Sequence, residues 1–398
     1  MMQNSYIVEA VRTPIGKIGG TMKDITVDRL GEAVIREVIS RTGLDISIDE
    51  IILGSAKQSA DTSNLARVAS LRAGVPEEVP AYTVHRQCGS GLQAIHNADQ
   101  QVRLGLSDVV IAGGAESMST APYYIRDARF GFRSGNALIL DPNTESQPGS
   151  QPIEKYGPLV MGNTAETLAK QYHISREEQD EFALRSQKLA SNAINEGYFK
   201  DEIVPIEIKD RRNHFYFDTD EHPRETTLEK LAKLPPAFME GGSVTAGNSS
   251  GRNDGASAVL MMSEEKVKEY GLSPKARIIA QASKGVSPTV MGIGPVASTQ
   301  LALKQCGLTI DDIDLIELNE AFSAQALAVI KSLELDLNKV NVNGGAIALG
   351  HPIGATGAIL MTKLLYEMRR RNLKYGLVTL CIAGGMGITS IIENLQMK

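Results

Sequence analysis

The sequence predicts an α/β fold in which two similar layered domains flank an inserted loop domain. Three observations lead to this fold class. Strand-like and helix-like patterns alternate in both halves of the chain, short motifs recur in the same order in the two halves, and the middle has a more irregular composition. At 398 residues, the chain also exceeds the length that one hydrophobic core normally serves.

In the first half, apolar spacing predicts a helix over 30–38 and a second helix directly after Cys88. The second pattern continues through 92–102, and Gly105 is placed to end it. The run "SDVVIAGG" at 107–114 then predicts a buried strand. This order of elements is typical of a strand–helix–strand unit.

The second half repeats this local plan. "KVNVNGGAIALG" leads to His351, a helical pattern covers 355–368, and "YGLVTLCIAGG" at 375–385 predicts a strand. Two short motifs support a duplication, because their offsets are nearly equal. Ile-Asp-x-Ile-x-Leu occurs at 48–53 and 310–315, and Ile-Ala-Gly-Gly occurs at 111–114 and 382–385.

We therefore predict three domains. An N-terminal domain covers 1–118 and is completed by about 251–270, a loop domain that binds the substrate covers 119–250, and a C-terminal domain covers 271–398. Within the loop domain, capping-box spacings indicate helix starts at Asn163 and Ser175.

Composition excludes several classes of function. The net charge of −6, with both signs interspersed, argues against a nucleic-acid or membrane-surface role. No apolar run is long enough to span a bilayer and no secretory signal is visible, so we expect a cytoplasmic protein. The glycine-rich stretches match neither a phosphate-binding nor a dinucleotide-binding motif, and no His or Cys pair has metal-ligand spacing.

Two cysteines and one histidine remain as candidates for chemistry. Cys88 and Cys381 each stand beside glycines, and His351 follows a glycine-rich run, whereas Cys306 at a predicted helix end is interpreted as structural. By residue type, a cysteine–histidine pair indicates a covalent acyl or thioester intermediate. Spacing alone does not bring these residues together, and a buried, inert cysteine remains the alternative for each thiol.

Several segments resemble the thiolase family in family order along the whole chain. "VHRQCGSGLQAI" resembles its nucleophile segment, "NGGAIALGHPIGATGA" its histidine segment, and "CIAGGMG" its second-cysteine segment. "NEAF" at 319–322, "GNSSGRNDGAS" at 247–257 and "EAVRTPIGK" at 9–17 are similar to further family signatures. The resemblance implies a thiolase-like pair of α/β domains with an intervening loop domain.

The resemblance also implies roles for these residues. Cys88 would carry the acyl group, His351 would take its proton, and Cys381 would remove the α-proton of a second acetyl-CoA. His351 with a water held by Asn319 would form one oxyanion hole, and the backbone N–H groups of Cys88 and Ala383 would form the other.

On the coenzyme A side, the resemblance implies substrate contacts from a further set of residues. These are Met161, Ala246, Ser250, Ala321, Phe322 and, for a phosphate, Arg224. Coenzyme A thioesters are then substrates, and no permanently bound cofactor or metal is expected. The family also implies a homodimer or homotetramer.

The implied activity is that of an acyl-CoA C-acyltransferase that condenses two acetyl-CoA molecules to acetoacetyl-CoA, reversibly. A longer-chain 3-ketoacyl-CoA thiolase, a non-catalytic lipid-binding protein and a cysteine–histidine hydrolase are the alternatives. Val160 replaces a histidine of short-chain biosynthetic thiolases, which admits longer acyl chains. His85 and Ala383 replace an asparagine and a glycine of the family.

Overall fold

A computed structural model describes residues 3–209 and 214–397 of the chain. The strands in this part of the chain are β1 (Ser5–Arg12), β2 (Gly16–Lys17), β3 (Glu50–Gly54), β4 (Ala81–Val84), β5 (Val109–Ser117), β6 (Ile206–Lys209), β7 (His214–Phe217), β8 (Asn253–Ser263), β9 (Ala276–Gly285), β10 (Leu315–Leu318), β11 (Tyr375–Ile382) and β12 (Met386–Asn394).

The helices range from a single turn to 20 residues. They are α1 (Val27–Ser40), α2 (Leu65–Arg72), α3 (Ser90–Leu104), α4 (Pro142–Glu145), α5 (Ile153–Tyr156), α6 (Met161–Gln171), α7 (Arg176–Asn195), α8 (Leu228–Ala232), α9 (Glu264–Glu269), α10 (Gly294–Cys306), α11 (Ser323–Leu333), α12 (Ala346–Leu349) and α13 (Thr356–Arg371).

One large sheet runs in the order β10-β11-β12-β9-β1-β8-β5-β3-β4, with β2 paired to β8, and β6 and β7 form a separate hairpin. β1 meets β9 at one residue pair, Ile7 opposite Ala276, so the sheet consists of two halves. In the first half β3 runs parallel to β5, which is antiparallel to β8. In the second half β10 runs parallel to β11, which is antiparallel to β12. This matching topology confirms the predicted duplicated α/β architecture.

The two Ile-Ala-Gly-Gly motifs are not structurally equivalent, although each lies near a corresponding strand. Residues 111–114 lie inside β5, whereas 382–385 starts at the last residue of β11 and continues into a turn. Gly384 and Gly385 adopt φ values of 88° and 85° in that turn. The predicted pairing of these motifs is therefore wrong, because the second motif serves as a turn and not as a strand interior.

Helices α3 and α13 form a central layer between the two halves of the sheet. Leu92 of α3 and Leu360 of α13 belong to one hydrophobic cluster that also contains Val110 of β5 and Val378 of β11. The two helices approach closely where Gly357 faces α3, since a Cβ there would lie 2.6 Å from the backbone nitrogen of Leu92. α1 and α2 cover the outer face of the first half, and α10 and α11 cover that of the second.

The segment between β5 and β8 carries α4 to α8 and the β6–β7 hairpin. Its first part, 120–140, has little regular structure and exposes several large apolar side chains, among them Tyr123, Phe130, Phe132, Leu138 and Ile139. Among the described residues, no helix is both long and apolar enough to cross a membrane.

Candidate active site

Cys88 lies in a tight turn between the end of β4 and the start of α3. Its neighbour Gln87 has a left-handed backbone with φ 45°, which a residue other than glycine keeps only where local contacts hold it. The Ser90 hydroxyl provides those contacts, because it accepts the Arg86 N–H at 2.8 Å and donates to the Gln87 carbonyl at 2.6 Å. The thiol is thus held at a helix N-terminus, where the helix dipole favours negative charge.

Glycines allow this turn to sit deep in the protein. A Cβ on Gly54, at the end of β3, would lie 2.4 Å from the backbone carbonyl carbon of Ser90. A Cβ on Gly89 would lie 2.6 Å from the Ile382 side chain of β11. The position of the Cys88 turn therefore depends on close approach between backbone segments that are distant in sequence.

His351 is held in one orientation and one tautomer. Its backbone N–H donates to the Asn253 side-chain oxygen at 2.9 Å, and its Nδ1 lies 2.6 Å from the Thr356 hydroxyl. That hydroxyl donates to the Pro352 carbonyl at 2.9 Å, so its oxygen is left to accept a proton from Nδ1. Nδ1 therefore carries the ring proton, and Nε2 keeps a lone pair.

The Nε2 atom of His351 faces Asn319, whose Nδ2 lies 3.5 Å away. Burial lowers the pKa of His351 to about 4, so the imidazole is neutral at physiological pH and available as a base. Asn319 is fully buried, and its Oδ1 has no hydrogen-bond partner among the described residues. The side chain that faces the histidine therefore carries an unpaired polar atom among the described residues.

Cys381 is the second-last residue of strand β11 and is 1% exposed. Burial raises its pKa above the usual range, and the negative charge that Cys88 acquires on ionisation raises it further. The two sulfur atoms are therefore close enough to interact electrostatically, although the two cysteines are 293 positions apart in the sequence. A thiolate at Cys381 would be a strong base.

The environment of Cys88 contains opposing influences. Burial raises the pKa of its thiol, whereas the backbone N–H of Ala383, the charge of Lys57 and the N–H of Cys88 itself lower it. The N–H groups of Cys88 and Ala383, the predicted oxyanion donors, thus both face the sulfur. Ala383 is not in the left-handed backbone region, so its methyl group causes no strain at a position where the family has glycine.

One cavity of about 190 Å³ brings the predicted residues together. Cys88, His351, Cys381 and Ala383 share its wall. Of the predicted substrate contacts, it is also lined by Met161, Ser250, Ala321 and Phe322. The other lining residues include apolar side chains (Met118, Phe238, Met291, Ile353) and polar or charged ones (Lys57, Asn143, Ser146, Gln147, Ser150, Arg252).

Arg224 and Ala246 lie outside this cavity. The exposed Arg224 guanidinium donates to the Ala246 carbonyl at 3.1 Å. Arg224 instead lines a surface depression together with Lys188 and Lys230. Cys306, interpreted as structural, donates weak hydrogen bonds to carbonyls of its own helix α10.

The two other departures from the family are not among the residues that line the cavity, although Val160 directly precedes the lining residue Met161. His85 is exposed. Val160 precedes the first residue of α6 and is partly buried. Among the described residues, no cluster of His, Cys, Asp and Glu has the arrangement of a metal site.

Sequence patterns did not reveal several residues that shape the site. Glu116 is buried and accepts hydrogen bonds from the Ser55 hydroxyl and from the backbone N–H groups of Ala56, Lys57 and Gly354. It thereby ties the loop after β3 to the loop after His351. Lys57 and Thr356 were missed as well. For Thr356, its position five residues after the histidine at a helix start was the available signal.

Comparison with known proteins identifies the family. The model of the thiolase N-terminal domain matches residues 5–265, and that of the thiolase C-terminal domain matches residues 272–394. The chain belongs to the thiolase family. Cys88, His351 and Cys381 of this thiolase therefore belong to a chain that matches the family models over nearly its full length.

This thiolase is 49% identical to an acetyl-CoA acetyltransferase of Syntrophomonas wolfei, over 99% of this chain and 100% of the relative. The crystal structure of the Bacillus anthracis acetyl-CoA acetyltransferase superposes with a TM-score of 0.96 at 50% identity, covering 99% of each chain. The human mitochondrial 3-ketoacyl-CoA thiolase in complex with CoA superposes with a TM-score of 0.94 at 45% identity, covering 98% of each chain.

Proposed function

We propose that this thiolase is an acetyl-CoA acetyltransferase that interconverts two acetyl-CoA molecules with acetoacetyl-CoA and coenzyme A. The observation that carries the proposal is the shared cavity of Cys88, His351 and Cys381. A hydrolase needs one nucleophile, one base and water, whereas carbon–carbon bond formation needs a second base for a carbon acid. The names of the two relatives that are about half identical support the same activity.

In the first half-reaction, Nε2 of His351 takes the proton of Cys88, and the thiolate attacks the thioester carbonyl. The oxyanion of the tetrahedral intermediate accepts hydrogen bonds from preorganised donors, each of which typically contributes about 10²- to 10³-fold in rate. The carbon–sulfur bond to coenzyme A breaks, and the departing thiolate takes the proton of Cys381. Acetyl-Cys88, protonated His351 and a Cys381 thiolate result.

In the second half-reaction, the Cys381 thiolate takes the α-proton of a second acetyl-CoA. Protonated His351, with a water on Asn319, stabilises the enolate oxygen. The enolate carbon attacks the acetyl-Cys88 carbonyl, whose oxyanion is bound by the N–H groups of Cys88 and Ala383. The bond to Cys88 then breaks, and His351 returns its proton to that sulfur. Each residue regains its initial protonation state.

The coenzyme A moiety is proposed to enter past Phe322 and Ser250, with Met161 and Ala321 beside the pantetheine. Ala246, whose carbonyl accepts a hydrogen bond from the Arg224 guanidinium, is proposed to contact the part of coenzyme A that extends outside the cavity. The depression that contains Arg224 is also lined by Lys188 and Lys230, and by one carboxylate, that of Glu225. Three cations at one depression are suited to the phosphates of coenzyme A. Substrates of this kind require no permanently bound cofactor.

The test is consumption of acetoacetyl-CoA in the presence of coenzyme A, followed by a series of 3-ketoacyl-CoA esters of increasing length. Highest kcat/KM for acetoacetyl-CoA supports the proposal. Highest kcat/KM for longer chains identifies a 3-ketoacyl-CoA thiolase of fatty-acid degradation, the alternative that Val160 and the human relative favour. Release of the free acid by a variant that lacks Cys381 would indicate a hydrolase. Absence of turnover by a protein with intact Cys88 would indicate a lipid-binding protein.

We also propose that the chain divides into 1–118 completed by about 251–270, 119–250, and 271–398. The return of β8 to pair with both β1 and β5 supports this division.

The exposed apolar side chains of 120–140 support a homodimer or homotetramer. Light scattering tests the assembly, and a stable monomer would contradict it. A cytoplasmic location remains part of the proposal, which fractionation of cells tests.

A further inference from the structure

Lys57 is a cation in the wall of the cavity that contains Cys88. It follows closely after strand β3, and its side chain is partly buried. The ammonium donates hydrogen bonds to the Pro142 carbonyl at 3.3 Å and to the Ser146 hydroxyl. Both acceptors belong to the inserted segment and neither is a carboxylate. The charged group is therefore held at a defined place on the cavity wall.

Four charged or titratable groups face Lys57, namely Glu116, Cys88, Arg252 and Asp141. Glu116 already accepts the four hydrogen bonds described above, and Asp141 pairs with Arg252 at 3.4 Å. Burial lowers the pKa of Lys57, and the charges of Glu116 and Cys88 raise it. Among the described residues, the hydrogen bonds of the ammonium thus include no carboxylate, while the Cys88 sulfur, which must ionise, faces it.

We propose that Lys57 is a positioning residue whose positive charge beside the Cys88 sulfur favours the thiolate. The proposal rests on Cys88 being the nucleophile of the proposed function. His351 is neutral at rest and becomes charged only when it takes the Cys88 proton, whereas the Lys57 charge faces the sulfur before that transfer. In a partly buried site, such a charge acts more strongly than it would in water.

The test is the pH dependence of Cys88 alkylation by iodoacetamide, a neutral reagent that Lys57 does not attract. A nearby opposite charge typically shifts a pKa by about 1–3 units, and the charge of Glu116, which raises the pKa of Cys88, offsets part of this effect. Lys57→Met should raise the alkylation midpoint by about 0.5–1 unit, which slows the reaction about three- to tenfold below the midpoint. Lys57→Arg should restore the wild-type profile.

Ser146→Ala is the matched control, because it removes a hydrogen bond to Lys57 but keeps the charge. If Ser146→Ala and Lys57→Met shift the midpoint equally, or if Lys57→Met leaves it unchanged, the proposal is overturned. Lys57→Gln serves in place of the methionine variant should that variant not fold. Peptide mass spectrometry identifies the alkylated residue, and loss of the signal in Cys88→Ser is required. A fast thiol other than Cys88 would instead overturn the assignment of the nucleophile.

Discussion

Thr356→Val tests whether the hydrogen bond at Nδ1 makes His351 a competent base. The Thr356 hydroxyl lies 2.6 Å from Nδ1 and donates to the Pro352 carbonyl at 2.9 Å, and the residue is 2% exposed. Valine has nearly the same shape but cannot accept the ring proton. The variant therefore leaves the Nδ1–H unpaired in a buried site, both in the neutral imidazole and in the imidazolium that forms during catalysis.

A hydrogen bond to a charged group contributes about 1.5–3 kcal/mol. The Nδ1–H becomes part of a cation in the transition state, so this range applies to the loss of transition-state stabilisation. Since about 1.4 kcal/mol corresponds to a tenfold change in rate, kcat/KM for thiolysis of acetoacetyl-CoA should fall about 10- to 150-fold. The iodoacetamide reaction of Cys88 should slow in parallel, because the same base takes its proton.

Thr356→Ser is the control, since it retains the hydroxyl and removes only a methyl group. It should stay within about fourfold of the wild type, because the lost methyl contact contributes about 0.8 kcal/mol or less. The reasoning is refuted if Thr356→Val retains wild-type kcat/KM, or if the serine variant is impaired as strongly as the valine variant.

Two further predictions concern stability. Gly54→Ala places a Cβ 2.4 Å from the Ser90 backbone, so the free energy of unfolding of this variant in urea should fall by about 1–3 kcal/mol. The control Gly149→Ala, whose added Cβ would have nothing within 4 Å, should be as stable as the wild type. Equal effects of the two substitutions would contradict this packing argument. Burial lowers the pKa of His96 to about 3 in the folded protein. As the pH falls, this imidazole therefore binds a proton in the unfolded chain at a higher pH than in the folded protein, and folding becomes less favourable. The stability of the wild type relative to His96→Gln should drop by about 2–3 kcal/mol between pH 6.5 and 4.5; a constant difference would show that His96 does not titrate on unfolding.

Local patterns predicted elements whose signals lie within one segment. The helix after Cys88 ends at Gly105 as expected. Ser175 caps α7 through reciprocal hydrogen bonds with Glu178, also as expected. The predicted start at Asn163 is wrong, because α6 begins at Met161 and Asn163 occupies its first turn. There the asparagine side chain accepts the Val160 N–H at 3.4 Å and donates to a carbonyl of a distant loop, a contact that spacing alone does not encode.

In the candidate site, too, residues within local motifs were found from the sequence, and residues whose partners are distant in sequence were not. Cys88, His351 and Cys381 were candidates because each stands near glycines in a motif that is visible within a few residues, and the resemblance to the thiolase family implied their joint role. Glu116 and Lys57 contact partners that only the folded chain brings near. The Glu116 carboxylate, for example, accepts an N–H from a residue 238 positions later in the chain. No local periodicity marks such a contact.

The most direct test of the central claim is to treat Cys381→Ala with acetyl-CoA and locate the acetyl group by peptide mass spectrometry. If Cys88 is the acyl carrier and Cys381 the base for the second substrate, one acetyl group should accumulate on Cys88 and no acetoacetyl-CoA should form. An acetyl group on another residue, or acetoacetyl-CoA produced at the wild-type rate, would contradict the account.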